Sequence, residues 1–174
     1  MRAKVRTSLI GGIWLSLIAV SPFAAETSLA VLDFELNDLT LQPGTPEETA
    51  RTASIRPLLE EALGQADWIR LVNIEPAAVN RANAGFGYLF EHPDVAADLG
   101  RSHQADWVLV GRLHKPSFLF AYLMAHLVDA HTGVIAGNFV VEVKGQQALV
   151  TAKGIARLSE KVLSQIDHKI AQQN

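Results

Sequence analysis

Cysteine is missing from all 174 residues of the chain. Without it there is no lipobox to carry a lipid anchor, no disulfide and no thiolate metal ligand, so ordinary packing must hold the fold together. Catalytic signatures are missing as well. Neither Gly-x-Ser-x-Gly nor His-Glu-x-x-His occurs, and no serine lies at a strand-to-helix elbow. Gly85-Phe86-Gly87 lacks the third glycine and the preceding strand of a dinucleotide-binding loop. There is no linker rich in proline, glycine or serine, no internal repeat and no low-complexity tract, which leaves one continuous domain.

What is present begins at the first residues. Arg2, Lys4 and Arg6 precede any acidic residue, and an uncharged apolar run, Leu9 to Val20, follows them. Ser21-Pro22-Phe23-Ala24-Ala25 then supplies a helix-ending turn and small residues. These are the three regions of a secretory signal. The apolar run is short of the roughly 20 residues that a permanent membrane helix needs. Residues 1–25 are therefore expected to be a Sec signal peptide, cut after Ala24 or Ala25. An uncleaved anchor is the rival, since the uncharged stretch extends from Thr7 to Ala25. Residues 26–174 are expected to form a single periplasmic domain with no stable membrane anchor after processing.

Removing the leader takes three of the 15 basic residues and none of the 18 acidic ones, so the remainder carries 12 against 18. That balance excludes nucleic acid and anionic membrane surfaces as natural partners.

Along this domain, Leu29 to Leu36 reads as a strand, with Leu32, Phe34 and Leu36 on one face and Asp33 and Glu35 on the wet face. Thr45-Pro46-Glu47-Glu48 has capping-box spacing and opens a helix that runs to Leu63 and stops at Gly64. Pro57 interrupts it, giving a kink or two abutting helices with Ser54 as the second cap. Trp68 to Val72 is a second strand. Pro76 to Asn83 and Pro93 to Gln104 are helices, and Asp106 to Leu113 is the third strand. Phe118 to Asp129 and Val134 to Lys144 form a hairpin through Ala130-His131-Thr132-Gly133, whose glycine supplies a positive φ. An amphipathic helix from Thr151 to Gln172 closes the chain, with Ile155, Leu158, Val162, Ile166 and Ile170 on one side. This order predicts an α/β fold: a single-domain sandwich, a mixed β-sheet of about five strands with packing helices.

Candidate chemistry is thin. The six histidines have no metal-ligand spacing, and a tight turn at Pro116 would pair His114 with Phe118 rather than with His126, so solvated or core histidines are the better account. Asp33, Glu35 and Asp38 lack the alternating ligands and central glycine of a calcium loop and read as an ordinary strand face. Glu47-Glu48 and Glu60-Glu61 read as solvated helix surface. No catalytic residue, metal site or cofactor is assigned. One segment could be a site: Phe86, Tyr88 and Phe90, alternating aromatics flanked by glycines, which would bind a partner or ligand unless they cap the core.

The strand Ala30-Val31-Leu32-Asp33-Phe34, the segment Ala105-Asp106-Trp107-Val108-Leu109-Val110-Gly111 and the turn Leu127-Val128-Asp129-Ala130-His131-Thr132-Gly133 occur in an order that resembles the TolB amino-terminal domain and the curli-secretion CsgG group. The chain is also similar to small uncharacterised exported proteins of Gram-negative bacteria that carry a domain of unknown function. The resemblance spans most of residues 29–144. It implies a TolB N-terminal-like fold and a non-enzymatic envelope domain whose partners are periplasmic or outer-membrane proteins. The missing lipidation cysteine departs from the curli-secretion pattern, and no propeller repeats follow. Two functions remain expected from these readings. One is a soluble periplasmic accessory protein acting by protein–protein contact in an envelope assembly or transport system. The other is an accessory protein that binds a small molecule or cofactor for a periplasmic oxidation pathway. A histidine-based metal hydrolase is a third reading.

Overall fold

The computed structural model describes residues 26–144 and 148–173, so the expected signal segment, 1–25, lies outside the described residues. The chain runs β1 (Thr27–Val31), β2 (Glu35–Asp38), α1 (Pro46–Ala53), α2 (Ile55–Leu63), β3 (Ile69–Leu71), α3 (Pro76–Ala82), α4 (Tyr88–Glu91), α5 (Pro93–Ser102), β4 (Trp107–Lys115), β5 (Phe120–Asp129), β6 (Ile135–Lys144) and α6 (Ala148–Gln173). The strands form one mixed sheet in the order β3-β1-β4-β5-β6, with β2 also paired to β4. β1 pairs in parallel with β3 and β4, and β2 in parallel with β4, whereas β4, β5 and β6 form antiparallel hairpins.

The first expected strand is two strands. β1 is buried along its whole length between β3 and β4, as a central parallel strand must be. From Val31 to Glu35 the chain advances four positions while β4 advances three, from Leu109 to Arg112. This bulge reverses the alternation. Leu32 therefore packs on the opposite face of the sheet from Phe34 and Leu36, contrary to the single wet-sided strand expected from period two. The sheet has six strands because of that one extra residue.

Helices cover both faces. On one, α2 and α6 lie over Leu29, Leu109, Leu127 and Leu123, burying Leu59, Leu158 and Ile166 completely. On the other, α3, α4 and α5 pack small and branched residues against Ala30, Val108 and Val110. Cover on this second face thins toward β5 and β6, where Tyr122, Met124 and His126 are half-buried and Val140 is exposed.

Local signals act as anticipated at most ends. Thr45 Oγ1 accepts from Glu48 N at 3.4 Å and Pro46 opens α1. α1 and α2 abut at Ser54, but Ser54 does not cap α2; its hydroxyl donates back to Arg51 O at 2.7 Å. Gly133 takes φ 72° in the β5–β6 turn. The β4–β5 loop occupies 116–119, so His114 pairs with Tyr122 rather than with Phe118.

Two polar clusters fasten the ends of the sheet. At the start of β4, Asp106 Oδ2 accepts from Ser28 N at 2.8 Å and Ser28 Oγ at 2.6 Å, and Asp106 N donates to Ser28 O at 3.0 Å. Burial works to raise the Asp106 carboxyl, but these bonds and His131 outweigh it and hold it below the ordinary aspartate value. At the far end of β4, Lys115 is buried with its Nζ 3.0 Å from Glu48 Oε1 and 3.7 Å from Asp38 Oδ2. Glu48 is thus not solvated helix surface: it is 3% exposed and also lies 3.5 Å from Arg51. A carboxylate this deep requires a cation beside it, and Lys115 supplies one.

Candidate functional site

After α3, the chain has only residues 83–87 in which to turn before α4 begins, and glycine makes that possible. Asn83 Oδ1 accepts from Gly85 N at 3.2 Å, and Gly87 adopts φ 77°, a conformation that a side chain resists. Glu35, turned toward this face just past the bulge, accepts from Gly87 N at 2.7 Å. α4 starts at the next residue and makes a single turn.

The three aromatics of this segment do not share one environment. Phe86, between the two glycines, is 65% exposed. Tyr88 is half-buried, its ring 4.2 Å from that of His92. Phe90 is 6% exposed and belongs to the core with Leu89. Its ring lies between two neighbours, the Arg112 guanidinium at 3.7 Å from the centroid and the stacked His126 ring at 3.9 Å. Arg112 Nη2 donates to Glu91 Oε1 at 2.8 Å, and His126 Nδ1 lies 3.2 Å from Phe90 O. Burial therefore narrows the surface that this segment can offer to Phe86 and Tyr88, while Phe90 anchors it. Desolvation pushes the His126 imidazolium down from its ordinary value, the nearby Arg112 charge adds to this, and the Phe90 carbonyl and Glu91 oppose it.

The other histidines are engaged separately. Asn37 Nδ2 is 3.0 Å from His114 Nδ1, His131 Nε2 is 3.1 Å from Asp106, and His103 Nδ1 is 2.8 Å from Leu99 O. The acidic trio is dispersed: Asp33 is paired with Arg56 at 3.6 Å, Glu35 holds Gly87, and Asp38 holds Thr40, Gly44 and Lys115. Among the described residues no three histidine or carboxylate side chains converge as a metal site. Ser28, Asp106 and His131 do meet, but with the carboxylate in the middle. The serine is 2% exposed and bonded to the aspartate, an arrangement that leaves no base for a nucleophile. Sequence reasoning did not find the Glu48–Lys115 cluster or the Glu35 clamp, because both join residues far apart along the chain and the second also depends on the bulge.

With this geometry in hand, sequence comparison is decisive about kinship. A family described as "Protein of unknown function (DUF2380)" matches residues 27–163, from the first residue of β1 into α6. The chain belongs to that family. No curated protein matches it. Among solved structures, the fold of this DUF2380 chain is similar to that of LpoB from E. coli, at 20% identity and TM-score 0.50, over 71% of this chain and 58% of that one. The chain thus spans little more than half the length of LpoB. It is also similar to the hypothetical protein CT253 from Chlamydia trachomatis, at 13% identity and TM-score 0.50, over 82% and 96% of the two chains. TolB from Acinetobacter baumannii aligns at TM-score 0.49 and 12% identity, over 81% of this chain and 28% of that one, a likeness too slight to carry weight. These matches lend no support to the curli-secretion part of the resemblance. Both stronger likenesses speak for the α/β fold alone.

Proposed function

We propose that this protein is a soluble periplasmic accessory protein that acts by protein–protein contact, without catalysing a reaction, in an envelope assembly or transport system. The observation that carries the reading is the state of Phe86. A large aromatic side chain is left in water on a segment that is otherwise fastened from both sides, through Glu35 to Gly87 and through Phe90 between Arg112 and His126. An exposed aromatic on a pre-set backbone is the arrangement that gives an interface its anchor, because little ordering cost remains to oppose binding. No helix among the described residues is long and apolar enough to cross a membrane. The reading places the protein in the periplasm after loss of residues 1–25.

A photo-crosslinking amino acid at position 86, introduced into the full chain in its own cell, tests the contact. A discrete protein adduct that disappears when the crosslinker is moved to an exposed site on α6 is the expected result. Equal or no capture from both positions overturns the assignment. Intact mass of the protein recovered from the periplasm tests the export reading, with loss of residues 1–24 or 1–25 expected and full-length protein in the membrane fraction counting against it.

A further inference from the structure

Adjacent parallel strands β3 and β1 send their following chain to opposite faces of the sheet. After β1 the chain passes through β2 to α1 and α2 on one face, and after β3 to α3 on the other. In open α/β sheets such a fork leaves a crevice at the carboxyl ends of the strands, and ligands bind there. This protein has a cavity of about 150 Å³ just past the carboxyl end of β1, between the β1–β2 bulge, α3 and β4.

Its walls have a definite chemistry. Leu32, Val79 and Val110 supply apolar surface, while Glu35 and Asn80 supply oxygen acceptors, with Asn83 and the exposed Asp33 also in the lining. Glu35 has acceptor capacity to spare. One oxygen takes the Gly87 N–H, and the other lies 3.5 Å from the Asn83 amide, too far for a strong bond. The neighbouring cations are already engaged: Arg56 by Glu60 and Asn73, each at 2.8 Å, and by Asp33, and Arg112, which pairs with Glu35 across the strands, by Glu91 at 2.8 Å and by the Phe90 ring. The lining therefore carries two carboxylates and no cation of its own, which selects against an anion and favours a positive guest.

We infer that this crevice binds a small monocationic amine, with the ammonium group donating to the Glu35 carboxylate and the Asn80 side-chain carbonyl, and a short apolar body against Leu32, Val79 and Val110. A cavity of this size holds a guest about as large as benzene, so the ligand class is confined to amines of a few carbon atoms. Phe86 takes no part in the lining, but Glu35 serves both readings, so Val79→Phe, which leaves Glu35 and Gly87 in place, separates a failure of one from a failure of the other.

Ethylammonium chloride, titrated into the protein and followed through backbone amide shifts, provides the test, with sodium chloride and sodium propionate as controls. The expected result is saturable shifts confined to 32–35, 79–83 and 110–111, absent with both controls. Glu35→Gln keeps an acceptor for Gly87 and removes the charge, and it is expected to weaken binding by about tenfold or more. Val79→Phe fills the cavity without touching any charge and is expected to abolish the shifts, so it decides the matter if the first variant does not fold. Shifts reproduced by sodium chloride, shifts that never saturate, or shifts indifferent to filling the cavity would overturn the assignment.

Discussion

The ring of Phe34 lies directly on the bare backbone of Gly111, so close that a Cβ on Gly111 would fall 2.2 Å from Phe34 Cζ. The bulge between β1 and β2 turns Phe34 onto this face, and the absence of a side chain in the middle of β4 leaves room for it. Neither residue can be understood without the other.

Gly111→Ala is therefore expected to destabilise the fold by about 1–3 kcal/mol through overpacking, measured by urea unfolding. Combining it with Phe34→Ala, which alone costs about 3–5 kcal/mol, should give less than the sum, because the smaller side chain makes room for the methyl group. Strict additivity would show that the contact is not what excludes a side chain at position 111.

The buried cluster at the far end of β4 makes a second demand. Lys115 faces Glu48 and Asp38, and removing it leaves Glu48 with Arg51 at 3.5 Å and Asp38 with the Thr40 and Gly44 donors alone. Lys115→Met should cost about 3–5 kcal/mol, the usual penalty for breaking one side of a buried pair. Glu48→Gln in the same chain should recover part of that loss, since it removes one of the two carboxylate charges. A neutral single variant would mean that water reaches the cluster.

His126 gives the stability a pH dependence of known sign. An unfolded histidine takes up a proton near about pH 6.5, whereas burial beside Phe90 keeps His126 neutral to lower pH. Between those two points the unfolded chain holds more protons, so the contribution of His126 is complete above about pH 6.5 and is lost as the pH falls through its folded value. Urea midpoints measured from about pH 7.5 down to about pH 5 should decline in the native protein and decline less in His126→Phe, which keeps the stack on Phe90. Parallel declines would mean that the protonated ring is accommodated in place.

Much of the architecture was legible in the chain because its signals are local. Thr45-Pro46-x-Glu48 set the start of α1, Gly133 set a hairpin, and the stripe from Ile155 to Ile166 set the buried side of α6. The splitting of the first strand was not legible, since period two runs without a break through Leu32, Phe34 and Leu36 and the bulge exists only against β4. Glu48 was misplaced for a related reason. Its neighbours along α1 are polar, and only the strand end that carries Lys115 makes its position an interior one. The Ala105-Asp106 segment could be recognised as a motif, but its role, tying β4 to Ser28 of β1, needed the two strands side by side.

The aromatic segment is where these arguments separate most cleanly. Phe86 and Phe90 are four residues apart on one fastened turn, yet one is 65% exposed and the other 6%. Alanine at position 90 removes a ring held between Arg112 and His126, and should cost about 3–5 kcal/mol, enough to take much of the margin of a domain this size. At position 86 the same change removes a side chain that the fold does not enclose, and the melting temperature should stay within about a degree of the native value. If Phe86 is an interface anchor, capture of the partner should nevertheless weaken by about 2 kcal/mol, close to thirtyfold. Tyr88, half-buried against His92, should fall between them, losing some stability and some binding together. The decisive comparison is the pair measured side by side, melting temperature and partner capture for Phe86→Ala and Phe90→Ala. A Phe86→Ala protein that melts normally and binds normally would remove this segment from the surface by which the protein works.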